Sequence, residues 1–185
     1  AGALNAAYNA LGPSGQPLRL LHRDIKPSNI QITAAGEVKV LDFGIARADF
    51  AEREARTQSV VYGSVNYMSP ERLDFEDCPN ADIYSLGCVF AELLSGVTTE
   101  KTSANQKKHD RTVAQTLEAV RLQQSHPASL DLLQQMLAYD PDARPSAKEL
   151  ERAAAKIRMT LDDCELLIDW CEQAVPVISR RKDQL

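Results

Sequence analysis

Residues 22–29, HRDIKPSN, bring an imidazole, a guanidinium, a carboxylate, an ammonium and an amide into one short stretch. Asp24 offers a carboxylate able to orient a hydroxyl and take its proton, and Lys26 a cation able to sit on an anionic group. Asn29, and Asp42 further on, offer the oxygen donors that a hard cation prefers. Solvated loops collect charge too. Taken singly, Asp24 reads as a turn residue, Lys26 as a surface charge and Asn29 as a strand cap. The elements that must position these groups decide between the two readings.

NIQIT and EVKVLDF alternate apolar residues around a TAAGE turn, which predicts a β-hairpin over residues 30–42. The turn returns the chain, so Asn29 and Asp42 arrive at the same open end. Before the hairpin, AGALNAAYNAL predicts a helix with Leu4, Tyr8 and Leu11 on one stripe, followed by the loop GPSGQP. No capping residue precedes that helix, which suggests a chain entering partway through a larger protein. Residues 45–68 show no clean period and predict a long loop, a feature often tied to function.

From residue 80 the pattern is helical. Ile83, Leu86, Phe90 and Leu93 recur at helical spacing, with Gly96 closing the helix. VTTEKTSANQKKHD reads as an exposed connection. Val113, Leu117 and Val120 mark the next helix, and Leu130, Leu133 and Leu137 another. Ser146 with Glu149 forms a capping box. A last helix over 160–175 places Leu161, Leu167, Ile168 and Cys171 on one face, with Pro176 near its end.

The composition is that of a soluble globular protein: 185 residues, 44% hydrophobic and 25% charged. A net charge of -5 argues against nucleic acid as a partner. No apolar run is long enough to span a bilayer, and no signal-peptide pattern opens the sequence. The cysteines, Cys78, Cys88, Cys164 and Cys171, form no C-x-x-C pair, and Cys164 and Cys171 read as small buried hydrophobes. A reducing, cytoplasmic setting follows.

After HRDIKPSN come DFG at 42–44, GSVNYMSPE at 63–71, DIYSLG at 82–87 and DPDARPS at 140–146. This ordered set resembles the C-terminal lobe of a eukaryotic-type protein serine/threonine kinase, and its wording is most similar to bacterial eukaryotic-like kinases. The resemblance covers residues 1–157. It implies a mainly α fold with a small β-hairpin, a kinase C-lobe that would be α+β when complete, with the N-lobe absent from this chain. Residues 158–185 are left as an extra C-terminal helix or the start of a linker.

By that resemblance the chain handles ATP and Mg²⁺ and phosphorylates Ser or Thr of a protein substrate. Asp24 orients the nucleophile, Lys26 neutralises the moving phosphoryl group, and Asn29 and Asp42 hold Mg²⁺. His22 packs behind the Phe43 segment. Arg23 binds a phosphorylated loop, with Thr57 and Ser59 as the acceptors ahead of Ser64 and Tyr62. Ser64 stands where the family usually has Thr and keeps its hydroxyl on the substrate shelf. Glu71 and Arg144 form a buried ion pair, and Asp82 accepts hydrogen bonds from the catalytic-loop backbone. Gln31 departs from the family, which usually has an apolar residue beneath the adenine; a polar side chain there needs a partner.

The Gly-rich loop, the strand lysine and the helix glutamate of the N-terminal lobe have no counterpart here; GPSG at 12–15 lacks the spacing and follows a helix. The missing N-lobe, or an upstream kinase region, is therefore an expected partner, and the isolated chain is expected to be weakly active or inactive. Two other readings remain: a truncated, non-catalytic kinase-like interaction module and a small-molecule phosphotransferase. Lys26 and the SPE segment fit a peptide substrate better than a small molecule.

Overall fold

The computed structural model describes residues 1–43, 65–123, 126–161 and 167–182. Helix α1 spans Gly2–Asn9. It is followed by strands β1 (Ile30–Ile32) and β2 (Val38–Val40), then by α2 (Pro70–Leu73) and α3 (Pro79–Ser95). Helices α4 (Gln106–Leu122), α5 (Pro127–Met136), α6 (Ala147–Arg158) and α7 (Leu167–Lys182) follow among the described residues. Among the described residues the fold is mainly α with a small antiparallel hairpin, as the sequence pattern predicts.

Helix α3 is the organising element. Ala81, Ile83, Tyr84, Cys88, Val89 and Ala91 are all buried along it, because α4 and α5 pack on its sides and the turn Pro141–Ala143 closes on it. A helix covered from several directions shows no single apolar stripe. This corrects the expected face: Ile83 is buried, Leu86 and Phe90 are half-buried, and Leu93 is 76% exposed near the helix's free end. Gly96, with φ 70, terminates the helix by donating its N–H to the Glu92 carbonyl at 2.8 Å. Gly87 lets α5 approach, since a Cβ there would lie 3.0 Å from Leu137 Cδ2 and 3.1 Å from Met136 Cβ.

The capping box at Ser146 forms in both directions: Glu149 N–H donates to Ser146 Oγ and the Ser146 N–H donates to Glu149 Oε2. Four other expectations need correction. Leu11 lies outside α1 and is 68% exposed, because Leu18 N–H to Ala10 O and Gly12 N–H to Gln16 O close the GPSGQP loop and draw it away. The 97–110 stretch is only partly an exposed connection. Thr99, Thr102 and His109 are buried, and Asn105 caps α4 by accepting from the Lys108 N–H. Helix α7 runs past Pro176 to Lys182, beyond the expected end at residue 175. On its apolar face Leu161, which precedes it, together with Leu167 and Ile168, is partly exposed; only Cys171 is fully buried. Cys164 lies outside the described residues. Among the described residues no helix is long and apolar enough to cross a membrane.

Candidate active site

The hairpin positions the site. Ile30 pairs with Val40, Gln31 with Lys39 and Ile32 with Val38. Just beyond the ladder, the Leu41 N–H donates to the Asn29 carbonyl at 2.9 Å. Asp42 follows Leu41 directly, so Asn29 and Asp42 stand side by side at the open end. The register that two apolar alternations impose thus joins residues thirteen positions apart.

Asp24, Lys26 and Asn29 are drawn together around one carboxylate. Lys26 Nζ lies 2.7 Å from Asp24 Oδ2, and Asn29 Nδ2 donates to the Asp24 carbonyl at 2.8 Å and to Oδ2 at 3.1 Å. With its amide nitrogen bonded to Asp24, the buried Asn29 retains an amide oxygen able to accept. That oxygen and the exposed Asp42 carboxylate are the hard donors a magnesium ion takes, so the residues present fit the ion. Asp42 has φ 56 and Arg23 φ 70, the left-handed region that non-glycine residues avoid. Such strain persists only where the surroundings over-determine the backbone.

Those surroundings can be named. His22 is fully buried; its Nδ1 accepts from the Asp24 N–H at 3.3 Å and its Nε2 lies 2.7 Å from the Leu41 carbonyl. A neutral imidazole protonated on Nε2 satisfies both contacts. Its ring meets Phe43 edge to face, centroids 4.8 Å apart. Asp82, buried in the first turn of α3, accepts the His22 N–H at 2.7 Å and the Arg23 N–H at 2.8 Å. Arg144, its side chain fully buried, makes two parallel hydrogen bonds to Glu71 at 2.7 and 2.8 Å. Burial pushes the Glu71 carboxyl up, but the Arg144 hydrogen bonds and charge outweigh it and hold it below its ordinary value.

Gln31 is exposed on β1, where it pairs with Lys39. Thr57, Ser59, Tyr62 and Ser64 lie outside the described residues. Two other arrangements had no sign in the spacing. Tyr67 donates to Glu92 Oε2 at 2.6 Å and Thr98 to Oε1 at 3.1 Å, fastening the segment before α2 to the end of α3. Asp77 bonds both Arg23 and Arg72. The run DFED beside Arg72 was the available signal, but it reads equally as a solvated acidic turn.

A family model described as a protein kinase domain matches residues 17–154. The chain belongs to that family. The kinase domain is also 48% identical over 79 residues to the serine/threonine-protein kinase PknB of Mycobacterium leprae, a match covering 42% of this chain and 12% of that protein. The PknB of Mycobacterium tuberculosis is 50% identical over 80 residues, covering 42% of this chain and 13% of that one. The tyrosine-protein kinase MasK of Myxococcus xanthus is 44% identical over 95 residues, or 51% of this chain and 15% of that one. The matched stretches are thus a small part of each relative's length.

Proposed function

We propose that this kinase domain is the C-terminal catalytic half of a serine/threonine protein kinase that transfers the γ-phosphoryl group of ATP to a Ser or Thr hydroxyl. The observation that carries the reading is the convergence of Asp24, Lys26, Asn29 and Asp42 at the open end of one hairpin. The acceptor oxygen bonds to the γ-phosphorus, the bond to the bridging oxygen breaks, and ADP leaves. Asp24 orients the hydroxyl and takes its proton. Lys26 neutralises charge on the transferring group, and its contact with Asp24 holds the two side chains together. Asn29 and Asp42 would hold Mg²⁺, which would supply charge neutralisation on the phosphates. Asp24, Asp82 and Glu71 stay fixed through the backbone and ion-pair contacts described above.

Residues 1–157 form the helical half of the catalytic domain on this reading, and 158–185 an addition to it. Protein substrates, an upstream kinase region as the other wall of the nucleotide site, and a cytoplasmic setting belong to the same proposal. Lys26, two positions after Asp24, and the PknB relatives support Ser/Thr over Tyr as acceptor.

The test is Mg²⁺-dependent transfer from ATP to a generic protein substrate, run on this chain and on the longest natural chain that carries it. Transfer by the longer form, abolished in Asp42→Ala and reduced at least about a hundredfold in Asp24→Asn, is expected from the weight of a catalytic base. Nucleotide binding without turnover in the longer form would instead favour an interaction module.

A further inference from the structure

Arg23, immediately before Asp24, is held in a closed ring of charge-assisted hydrogen bonds. Its Nε donates to Asp77 Oδ2 at 2.5 Å. The other oxygen, Asp77 Oδ1, accepts from Arg72 Nε at 3.1 Å and Nη2 at 3.0 Å. Arg72 Nη2 also donates to Asp82 Oδ1 at 2.8 Å, and the same oxygen accepts the backbone N–H of Arg23. The ring therefore grips Arg23 at both ends, guanidinium and amide, where its backbone adopts φ 70. The Arg72 side chain is 8% exposed, Arg23 21% and Asp77 31%, so water screens the ring only in part. The turn 74–76 that leads into Asp77 wraps the end of α2 through backbone bonds to the Glu71 and Arg72 carbonyls.

We propose that Asp77 is a built-in anion for Arg23, a positioning residue that fixes Asp24 and orders residues 22–29 without a phosphate on Thr57 or Ser59. The inference deepens the kinase reading and rests on it. An arginine next to a catalytic carboxylate needs a counter-charge to hold a strained turn, and a phosphorylated loop is one way to supply it. Here a carboxylate on the α2–α3 connection already accepts from the guanidinium Nε. Asp77 and a loop phosphate are then interchangeable supports for the same group.

The experiment uses the longest natural chain, stripped by a phosphatase and shown by mass spectrometry to carry no loop phosphate. Wild-type protein is expected to keep kcat within about twofold of its phosphorylated form, whereas Asp77→Asn loses about tenfold in kcat with KM for ATP unchanged. Backbone amides of His22 and Arg23 exchange hydrogen faster in Asp77→Asn, and Asp77→Glu, which retains the charge, recovers most of kcat. Loss of transfer from the dephosphorylated wild type overturns the inference, and that arm needs no substitution should Asp77→Asn fail to fold. Unchanged kcat together with unchanged exchange in Asp77→Asn overturns it as well. If no wild-type form transfers phosphate yet exchange still quickens in the variant, Asp77's hold on the loop stands and the kinase reading falls.

Discussion

Phe75 occupies a position at which backbone sterics ask for glycine. It follows Asp74 at the end of α2 with φ 63, its N–H bonded to Arg72 O at 3.2 Å while the Glu76 N–H reaches Glu71 O at 3.0 Å. That pair of bonds is the Schellman closure of a helix, whose left-handed residue is usually Gly. The ring is 81% exposed, so little burial offsets the strain. Phe75→Gly is expected to stabilise the fold by about 0.5–1 kcal/mol, the left-handed penalty less the added chain entropy of glycine. An unchanged or lower denaturant midpoint would count against this account. The opposite sign is expected at Arg144→Met, which leaves Glu71 buried without its guanidinium and costs about 3–5 kcal/mol. Because Glu71 is held below its ordinary value of 4.5, its contribution is present above that pH and lost as pH falls through it and lower. Glu71→Gln should accordingly flatten the acid side of a stability-against-pH curve. A steep, wild-type-like acid limb in the variant would show that other carboxylates set it. The Glu71–Arg144 pair was legible because motif residues carry it. The Arg23–Asp77 contact was not, since those residues lie 54 positions apart and no local period relates them.

At the scale of elements, what the sequence made legible is what short-range physics decides. The hairpin register follows from alternation over a few residues, and the box at Ser146 follows from one spacing of three. Ser146→Ala removes the oxygen that accepts the Glu149 N–H at 3.3 Å and should cost about 1 kcal/mol by chemical denaturation. A cost near zero would mean that Pro145 and packing alone start α6. Helix α3 is the contrary case. Its burial depends on α4 and α5 packing on its sides, which no period within α3 announces, so an apolar stripe was the wrong template and the small residues between the large ones carried the information. Gly87 is one of them. Gly87→Val drives a branched side chain into Leu137 and Met136 and should destabilise by about 1–3 kcal/mol, read from the same denaturation curve. Full stability in that variant would mean that α5 can retreat without loss.

For the whole molecule, the open question of physics is what α7 does, since it lies beyond the residues matched by the kinase family model. The structure seats its first turn on the tip of the hairpin whose other end carries Asn29 and Asp42. Gly36, in the left-handed region at φ 74, approaches so closely that a Cβ would stand 2.8 Å from Ile168 Cα and 2.9 Å from its nitrogen. Both are backbone atoms, so neither can rotate aside. Cys171, one helical turn beyond Ile168, is completely buried although Leu167, Ile168 and Trp170 around it remain partly exposed. The helix is therefore attached along a narrow line, and the hairpin tip is one end of it. Gly36→Ala combines backbone strain with a backbone clash and should lift α7 from the hairpin while leaving the α3-centred core folded. Thiol alkylation located by mass spectrometry reads this directly: Cys171 is protected in the wild type and becomes reactive in the variant, whereas Cys88, buried within α3, stays protected in both. Reactivity at Cys88 as well would mean the substitution unfolds the core. Continued protection of Cys171 alone would mean that α7 is held by contacts other than the hairpin tip.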